Sequence, residues 1–131
     1  MHTILLLQFR NDPECGARRD LLSHDAMDVA EAEPRWPVFF EAVNVRRPDV
    51  IVIACSRLPS HAFECARYLG DGFNTRDIPV LLVDVRENDL MKARSSANRA
   101  RIVGRDQLEC TVRETLSSAP TGRAQAQAEQ I

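Results

Sequence analysis

The fold of this chain is decided by residues 48–59, which read Pro48-Asp49-Val50-Ile51-Val52-Ile53-Ala54-Cys55-Ser56-Arg57-Leu58-Pro59. Val50–Ile53 is an unbroken run of β-branched residues, which predicts a central parallel strand covered on both faces. In open α/β sheets, functional residues lie just beyond the carboxyl ends of such strands. Residues 54–56 are therefore the first candidates for a functional site.

Apolar runs alternate with helical stretches along the rest of the chain. The pattern predicts strands at Ile4–Phe9, Ala26–Ala30, Val50–Ala54, Val80–Val83 and Ile102–Val103. It predicts helices over Pro13–Leu22, Pro37–Arg46, His61–Leu69 and Leu90–Ala97, and a last helix that carries Leu108, Val112 and Leu116. This strict alternation predicts an α/β fold, namely a flavodoxin-like five-stranded parallel sheet with helices on both faces.

Local signals mark where several helices begin and end. The starts of the last three helices are expected at Ser60, at Asn88 or Asp89, and at the capping box formed by Asp106 and Glu109. Gly70 and Gly72 are expected to end the third helix. The first helix has only a weak apolar face. A break at residues 120–122 predicts a domain over 1–118 and a C-terminal tail or extra helical segment over 119–131.

Composition narrows the class of protein. The 131 residues suit one domain, and a formal net charge of −2 carries no electrostatic signature of nucleic-acid binding. No apolar run approaches the ~20 residues that span a bilayer. Residues 1–7 lack a basic region and a cleavage site, so they are expected to be a strand and not a signal peptide.

The four cysteines form no C-x-x-C pair, which predicts reduced thiols in the cytoplasm and no metal site.

Three segments in a fixed order carry a resemblance to a known family. They are Arg47–Ile53 at the third strand, Leu58-Pro59 in the loop that follows it, and Thr75–Leu82 at the fourth strand. Together they resemble the receiver domain of bacterial response regulators, the CheY-like family, over about residues 3–117. The resemblance implies a three-layer sandwich and a role in two-component signal transduction or a phosphorelay.

The chemistry of that family needs five groups at the strand ends. Two acids hold a divalent cation, an aspartate accepts the phosphoryl group, a Thr or Ser bonds its oxygens, and a lysine neutralises them. In this sequence the corresponding positions hold Gln8 and Phe9, Ala54 (or Cys55, if the extra loop residue is placed earlier), Asp84, and Gly104 with Arg105 beside it. The resemblance therefore implies a degenerate receiver domain that lacks the phosphoacceptor aspartate. Such a domain would bind no metal or cofactor, catalyse no reaction and act through protein–protein contact.

Cys55 offers a second hypothesis, a small flavodoxin-like thiol enzyme or redox sensor. A reactive thiol needs a lowered pKa, which Arg57, His61 or Arg105 would have to supply. The alternative for Cys55 is a small buried residue at a strand end, and the alternative for His61 is a surface position. Asp84 is expected to pair with Arg105 or Arg57. Trp36 is either an interface residue or a contact onto the second helix.

A basic cluster near the fourth helix and fifth strand is the candidate partner surface. Its members are Lys92, Arg94, Arg99, Arg101 and Arg105. In receiver domains, the face made by the fourth helix, fifth strand and fifth helix forms dimers and meets output partners, so the resemblance implies a protein partner or a homodimer here. The positive charge favours an acidic partner. The alternative is a solvated helical face, and nucleic acid is disfavoured because aromatic stacking residues are absent there.

Overall fold

A computed structural model describes the backbone of residues 2–23 and 27–130, with side chains through residue 117. The five strands are β1 (His2–Leu7), β2 (Met27–Ala32), β3 (Val50–Ala54), β4 (Val80–Val83) and β5 (Arg101–Val103). The five α-helices are α1 (Cys15–Leu22), α2 (Val38–Arg46), α3 (Pro59–Asp71), α4 (Leu90–Ser96) and α5 (Arg105–Gln130), with a short 3-10 turn at Glu87–Asp89. All strand pairs are parallel, in the order β2-β1-β3-β4-β5. The predicted α/β flavodoxin-like sheet is confirmed.

The sheet separates two apolar layers. Ile51, Ile53 and Cys55 face the layer packed by α2, α3 and α4. Val50, Val52 and Ala54 face the layer packed by α5 and by Leu22 of α1. All of β3 is buried, because it lies in the middle of the sheet between β1 and β4. The β-branched run therefore contributes buried side chains to both apolar layers, as expected of a central parallel strand.

Several predicted helix starts are wrong by a few residues. α3 begins at Pro59, so Ser60 lies inside the first turn and does not cap it. Leu58 holds the cap position with a positive φ of 48° and no side-chain hydrogen bond. α5 begins at Arg105, which places Asp106 in its first turn and removes the predicted capping box. Proline at the first helical position needs no capping partner for its own nitrogen, which explains the earlier start of α3.

The helix ends also differ in places. Gly70 is buried inside α3, and Gly72 alone follows the helix as its cap. α5 runs on to Gln130, so residues 120–122 do not end it. An internal proline removes one backbone hydrogen bond and bends a helix without having to terminate it. The division at residue 118 stays a prediction, and Ala26, the predicted start of β2, and Ile131 lie outside the described residues.

Within the described ranges, no helix combines the length and apolar character required to cross a bilayer.

Candidate functional site

The carboxyl ends of β1, β3 and β4 meet in a crevice that also receives α1 and the start of α5. Gln8 follows β1, Ser56 follows β3, and Asp84 follows β4. Parallel strands bring these positions to one edge of the sheet. Asp12, in the loop before α1, completes the polar set and is buried. We call Gln8, Asp12, Ser56 and Asp84 together with Arg18 the crevice network.

Arg18 of α1 is the centre of this network. Its side chain has no exposed surface, and it donates through all three guanidinium nitrogens. Nε lies 2.7 Å from Asp84 Oδ2, and Nη1 lies 3.0 Å from Asp12 Oδ2 and 3.2 Å from Gln8 Oε1. Nη2 donates to the hydroxyl of Ser56. One cation thus ties α1 to the ends of three strands.

Arg18 was not among the residues predicted from the sequence, although its spacing from Leu22 is a signal for it. Arg18 lies four residues before Leu22, so both residues share one face of α1. Leu22 is buried in the core, and that face therefore points inward. The weak apolar face predicted for this helix is explained, because a charged residue occupies one of its few inward positions. An inward arginine needs carboxylate partners, and Asp12 and Asp84 supply them.

The loop before α1 holds Asp12 in place. Asp12 Oδ1 accepts a hydrogen bond from Glu14 N–H at 2.9 Å, and Oδ2 accepts one from the Ser56 hydroxyl at 2.9 Å. Burial raises the pKa of Asp12, but the hydrogen bonds from Glu14, Arg18 and Ser56 outweigh it and leave this pKa below its ordinary 3.8. Asp12 is therefore an ionised partner of Arg18 at neutral pH.

Asp84 joins a second arginine, which confirms the predicted pair with Arg105. Arg105 Nη2 lies 2.6 Å from Asp84 Oδ2, and its Nη1 reaches Glu14 Oε2 at 3.1 Å. Asp84 adopts a positive φ of 59°, a conformation that aspartate tolerates better than most residues. Burial raises the pKa of Asp84, but the hydrogen bonds from Arg105 and Arg18 more than offset it and lower this pKa below 3.8. The second cation bonded to Asp84 is Arg18, and not Arg57, which was the other predicted partner.

The remaining sequence-predicted positions contribute no charge to the crevice. Phe9 and Ala54 are apolar and largely buried, at 9% and 3% exposure. Gly104 lies between β5 and α5, where its carbonyl accepts a hydrogen bond from Gln107 N–H. His61 is exposed in the first turn of α3, as the surface reading predicted, and its ring meets the ring of Phe9 edge-on at 6.1 Å.

Cys55 does not face the crevice. It has no exposed surface and belongs to the apolar layer under α2, α3 and α4. Burial, with a smaller contribution from the charge of Asp84, raises the pKa of its thiol to about 12. A thiol held in this way is neutral and inaccessible at physiological pH, which favours the structural reading of Cys55 over the reactive one.

With Arg18 in place, the crevice does not fit a divalent cation. Among the described side chains, no group of three or more His, Cys, Asp or Glu is placed to hold a metal ion. Asp12 and Asp84 both already bind the guanidinium of Arg18. Mg²⁺ would require these same oxygens in a near-octahedral arrangement.

The basic cluster divides into an outer part and an inner residue. The outer part consists of Lys92, Arg94, Arg99 and Arg101, which are all exposed. No carboxylate in the described part of the chain pairs with any of them. Arg105 is the inner residue, because its guanidinium turns into the crevice toward Asp84 and Glu14, and its share in a partner surface stays a prediction. We call the four outer cations the basic face.

Trp36 makes the predicted contact onto the second helix and is also exposed, while its role as an interface residue stays a prediction. Its side chain is 56% exposed, yet its ring contacts Phe39 and Phe40 of α2 at centroid distances of 5.7 and 5.0 Å. It also meets Tyr68 of α3 at 5.1 Å. These contacts make it a bridge between α2 and α3 that still presents surface to solvent.

The charge of Asp84 predicts a pH-dependent contribution to stability. Its folded-state pKa is depressed, so its stabilising effect is present above 3.8 and is lost as the pH falls through the folded-state pKa. We expect Asp84→Asn to lower the free energy of unfolding at neutral pH, and the difference from wild type to shrink in strong acid. Urea denaturation across this range measures it, with Glu64→Gln on the exposed face of α3 as the control. A difference that stays constant with pH would contradict the assignment.

The burial of Cys55 predicts its rank in thiol modification. Native protein treated with iodoacetamide near neutral pH should be alkylated first at Cys110, which is exposed, and last at Cys55 and Cys65. Both buried thiols have a pKa raised to about 12, by burial above all. Mass spectrometry of the peptides gives the order, and denatured protein should show similar rates at all four. Preferential reaction at Cys55 would restore the thiol-enzyme hypothesis.

Solved structures match this chain where sequence comparison does not: no family model and no curated protein matches it. NtrX from Brucella abortus has a TM-score of 0.73 and 16% identity, over 97% of this chain and 29% of that chain. A protein assigned as a response regulator from Chloroflexus aurantiacus has a TM-score of 0.71 and 13% identity, over 88% and 98% of the two chains. The receiver domain of the sensor histidine kinase PA1611 from Pseudomonas aeruginosa, solved with magnesium in its active-site cleft, has a TM-score of 0.61 and 19% identity, over 89% and 98%. The chain has the fold of response-regulator receiver domains.

Proposed function

We propose that this chain is an atypical receiver domain that acts in signal transduction through protein–protein contact, without being phosphorylated. The observation that carries this proposal is the crevice network, in which Arg18 binds both carboxylates at the place where a receiver domain would carry out phosphoryl transfer. A cytoplasmic location accords with this role and with four unpaired cysteines.

Phosphoryl acceptance needs a free carboxylate oxygen and charge compensation on the incoming group. Ala54, which ends β3, and Cys55, which follows it, supply no carboxylate. Asp12 and Asp84 remain, but each is hydrogen-bonded through both of its oxygens to neighbouring groups. Neither carboxylate of the crevice network is therefore free to attack a phosphoryl group.

The basic face is the surface that we propose for partner binding. Its four cations are exposed and have no described carboxylate partner, so they are free to interact with an acidic protein. A two-fold homodimer through this face would set four cations against the same four of a second copy, because such an interface is self-complementary. Repulsion between like charges disfavours that arrangement, and an acidic protein partner is favoured over a homodimer.

The absence of phosphorylation is tested directly with beryllofluoride and magnesium. We expect no saturable amide shifts at residues 8, 54, 55 and 84 in heteronuclear NMR spectra, because Arg18 and Arg105 already engage the available carboxylate oxygens. The receiver domain from Pseudomonas aeruginosa, which was solved with magnesium in its cleft, serves as the positive control. Saturable shifts centred on the crevice, or covalent labelling by acetyl phosphate, would contradict the proposal.

The role of the basic face is tested with an acidic probe. Poly-L-glutamate should shift the amides around residues 92–101 at low salt and release them at high salt, because exposed charges are screened. Lys92→Glu combined with Arg94→Glu should weaken this binding by about tenfold or more, given the steep dependence of steered association on charge. Arg46→Glu with Arg67→Glu makes the same change in net charge on α2 and α3 and should have a much smaller effect. Equal losses in both double variants would argue against a specific surface.

A further inference from the structure

The guanidinium of Arg18 is the most deeply buried charge in the described part of the chain. Its side chain is 0% exposed, while its partners Asp12 and Asp84 are 6% and 17% exposed. Burying an arginine is costly unless its donors are bonded, and removing one partner of such a pair is strongly destabilising. No described buried polar side-chain atom lacks a partner. The site is therefore built around this cation.

The groups around Arg18 form a set of oxygen ligands. Four acceptor oxygens converge on it from three segments, the loop after β1 and the ends of β3 and β4, namely Gln8 Oε1, Asp12 Oδ2, Ser56 Oγ and Asp84 Oδ2. The Ser56 hydroxyl gives its own proton to Asp12, which leaves its lone pairs for the guanidinium. Carboxylate, amide and hydroxyl oxygens are the donors that a hard divalent cation prefers. We call these four oxygens the cage. The cage has the ligand chemistry of a metal-cation site, but the guanidinium of Arg18 occupies it.

We propose that Arg18 is a built-in replacement for a divalent cation, so that the crevice of the wild-type protein excludes Mg²⁺ and Mn²⁺, and that removing its side chain exposes a metal site made by Gln8, Asp12, Ser56 and Asp84. The inference concerns the crevice alone. It stands whether or not the basic face binds a partner.

The balance of charge explains why the cage would reject a metal while Arg18 is present. Asp12, Asp84 and the more exposed Glu14 bring three negative charges, and Arg18 and Arg105 bring two positive charges, of which Arg18 lies against both aspartates. A divalent ion placed among these groups would lie close to a guanidinium that has no exposed surface. Repulsion at such short range in a partly buried site is large, so binding is opposed until Arg18 is removed.

The test is a titration with Mn²⁺, read as paramagnetic broadening of backbone amides at residues 8, 12, 56 and 84. Wild-type protein should show no saturable broadening there. Arg18→Met should gain saturable broadening, with an affinity at least about tenfold above any residual binding by wild type, because two carboxylates lose a buried countercharge. Adding Asp12→Asn to Arg18→Met should abolish the gain and so locate the ion.

Arg105→Met is the matched control, since it also removes one cation from Asp84 but leaves Arg18 in the cage. It should bind no more Mn²⁺ than wild type does. If Arg18→Met fails to fold, Arg18→Gln replaces it, because its amide can still donate to one carboxylate. Saturable broadening in wild type, equal gains in Arg18→Met and Arg105→Met, or no gain in a folded Arg18 variant would each overturn the proposal.

Discussion

The contact of the Arg18 guanidinium with Asp12 and Asp84 is the interaction on which the functional end of this domain depends. It joins α1 to the loop before it and to the end of β4, and through Asp84 it extends to Arg105 at the start of α5. Because Arg18 is inaccessible to solvent, its bonds are less screened than those of surface ion pairs. The crevice thus carries its own balance of charge, independent of any bound ion.

This arrangement bears on the two ways in which a receiver fold can act, namely through chemistry at its strand ends or through contacts on its surface. The sheet and its two apolar layers are those of the receiver fold, and they position the strand ends in the usual place. At that place the chain supplies a self-contained salt-bridge network in which no carboxylate is left free. This network is the basis of the proposed surface function, and the exposed basic face provides the charge to support it.

Much of the fold could be predicted, because β3 and β4 are short apolar runs whose type and bounds are decided locally. The pair of Asp84 with Arg105 could be predicted too, since these residues follow the ends of the neighbouring strands β4 and β5. Helix starts were less certain, because a proline at the start of α3 outweighs the nearby serine. The spacing of Arg18 from Leu22 indicates its inward position, but not its role: its four partners lie up to 66 residues away, and only their assembly makes an inward arginine favourable.

The most direct test of this account is the side-chain NMR signal of Arg18 in wild-type protein. The account predicts an Arg18 Nε–H that exchanges slowly with water, because it is buried and bonded to Asp84, and that does not move when magnesium and acetyl phosphate are added. Exposed Arg67 provides the fast-exchanging reference in the same spectrum. An Arg18 signal that exchanges as fast as that of Arg67, or that shifts saturably with magnesium and acetyl phosphate, would contradict the account.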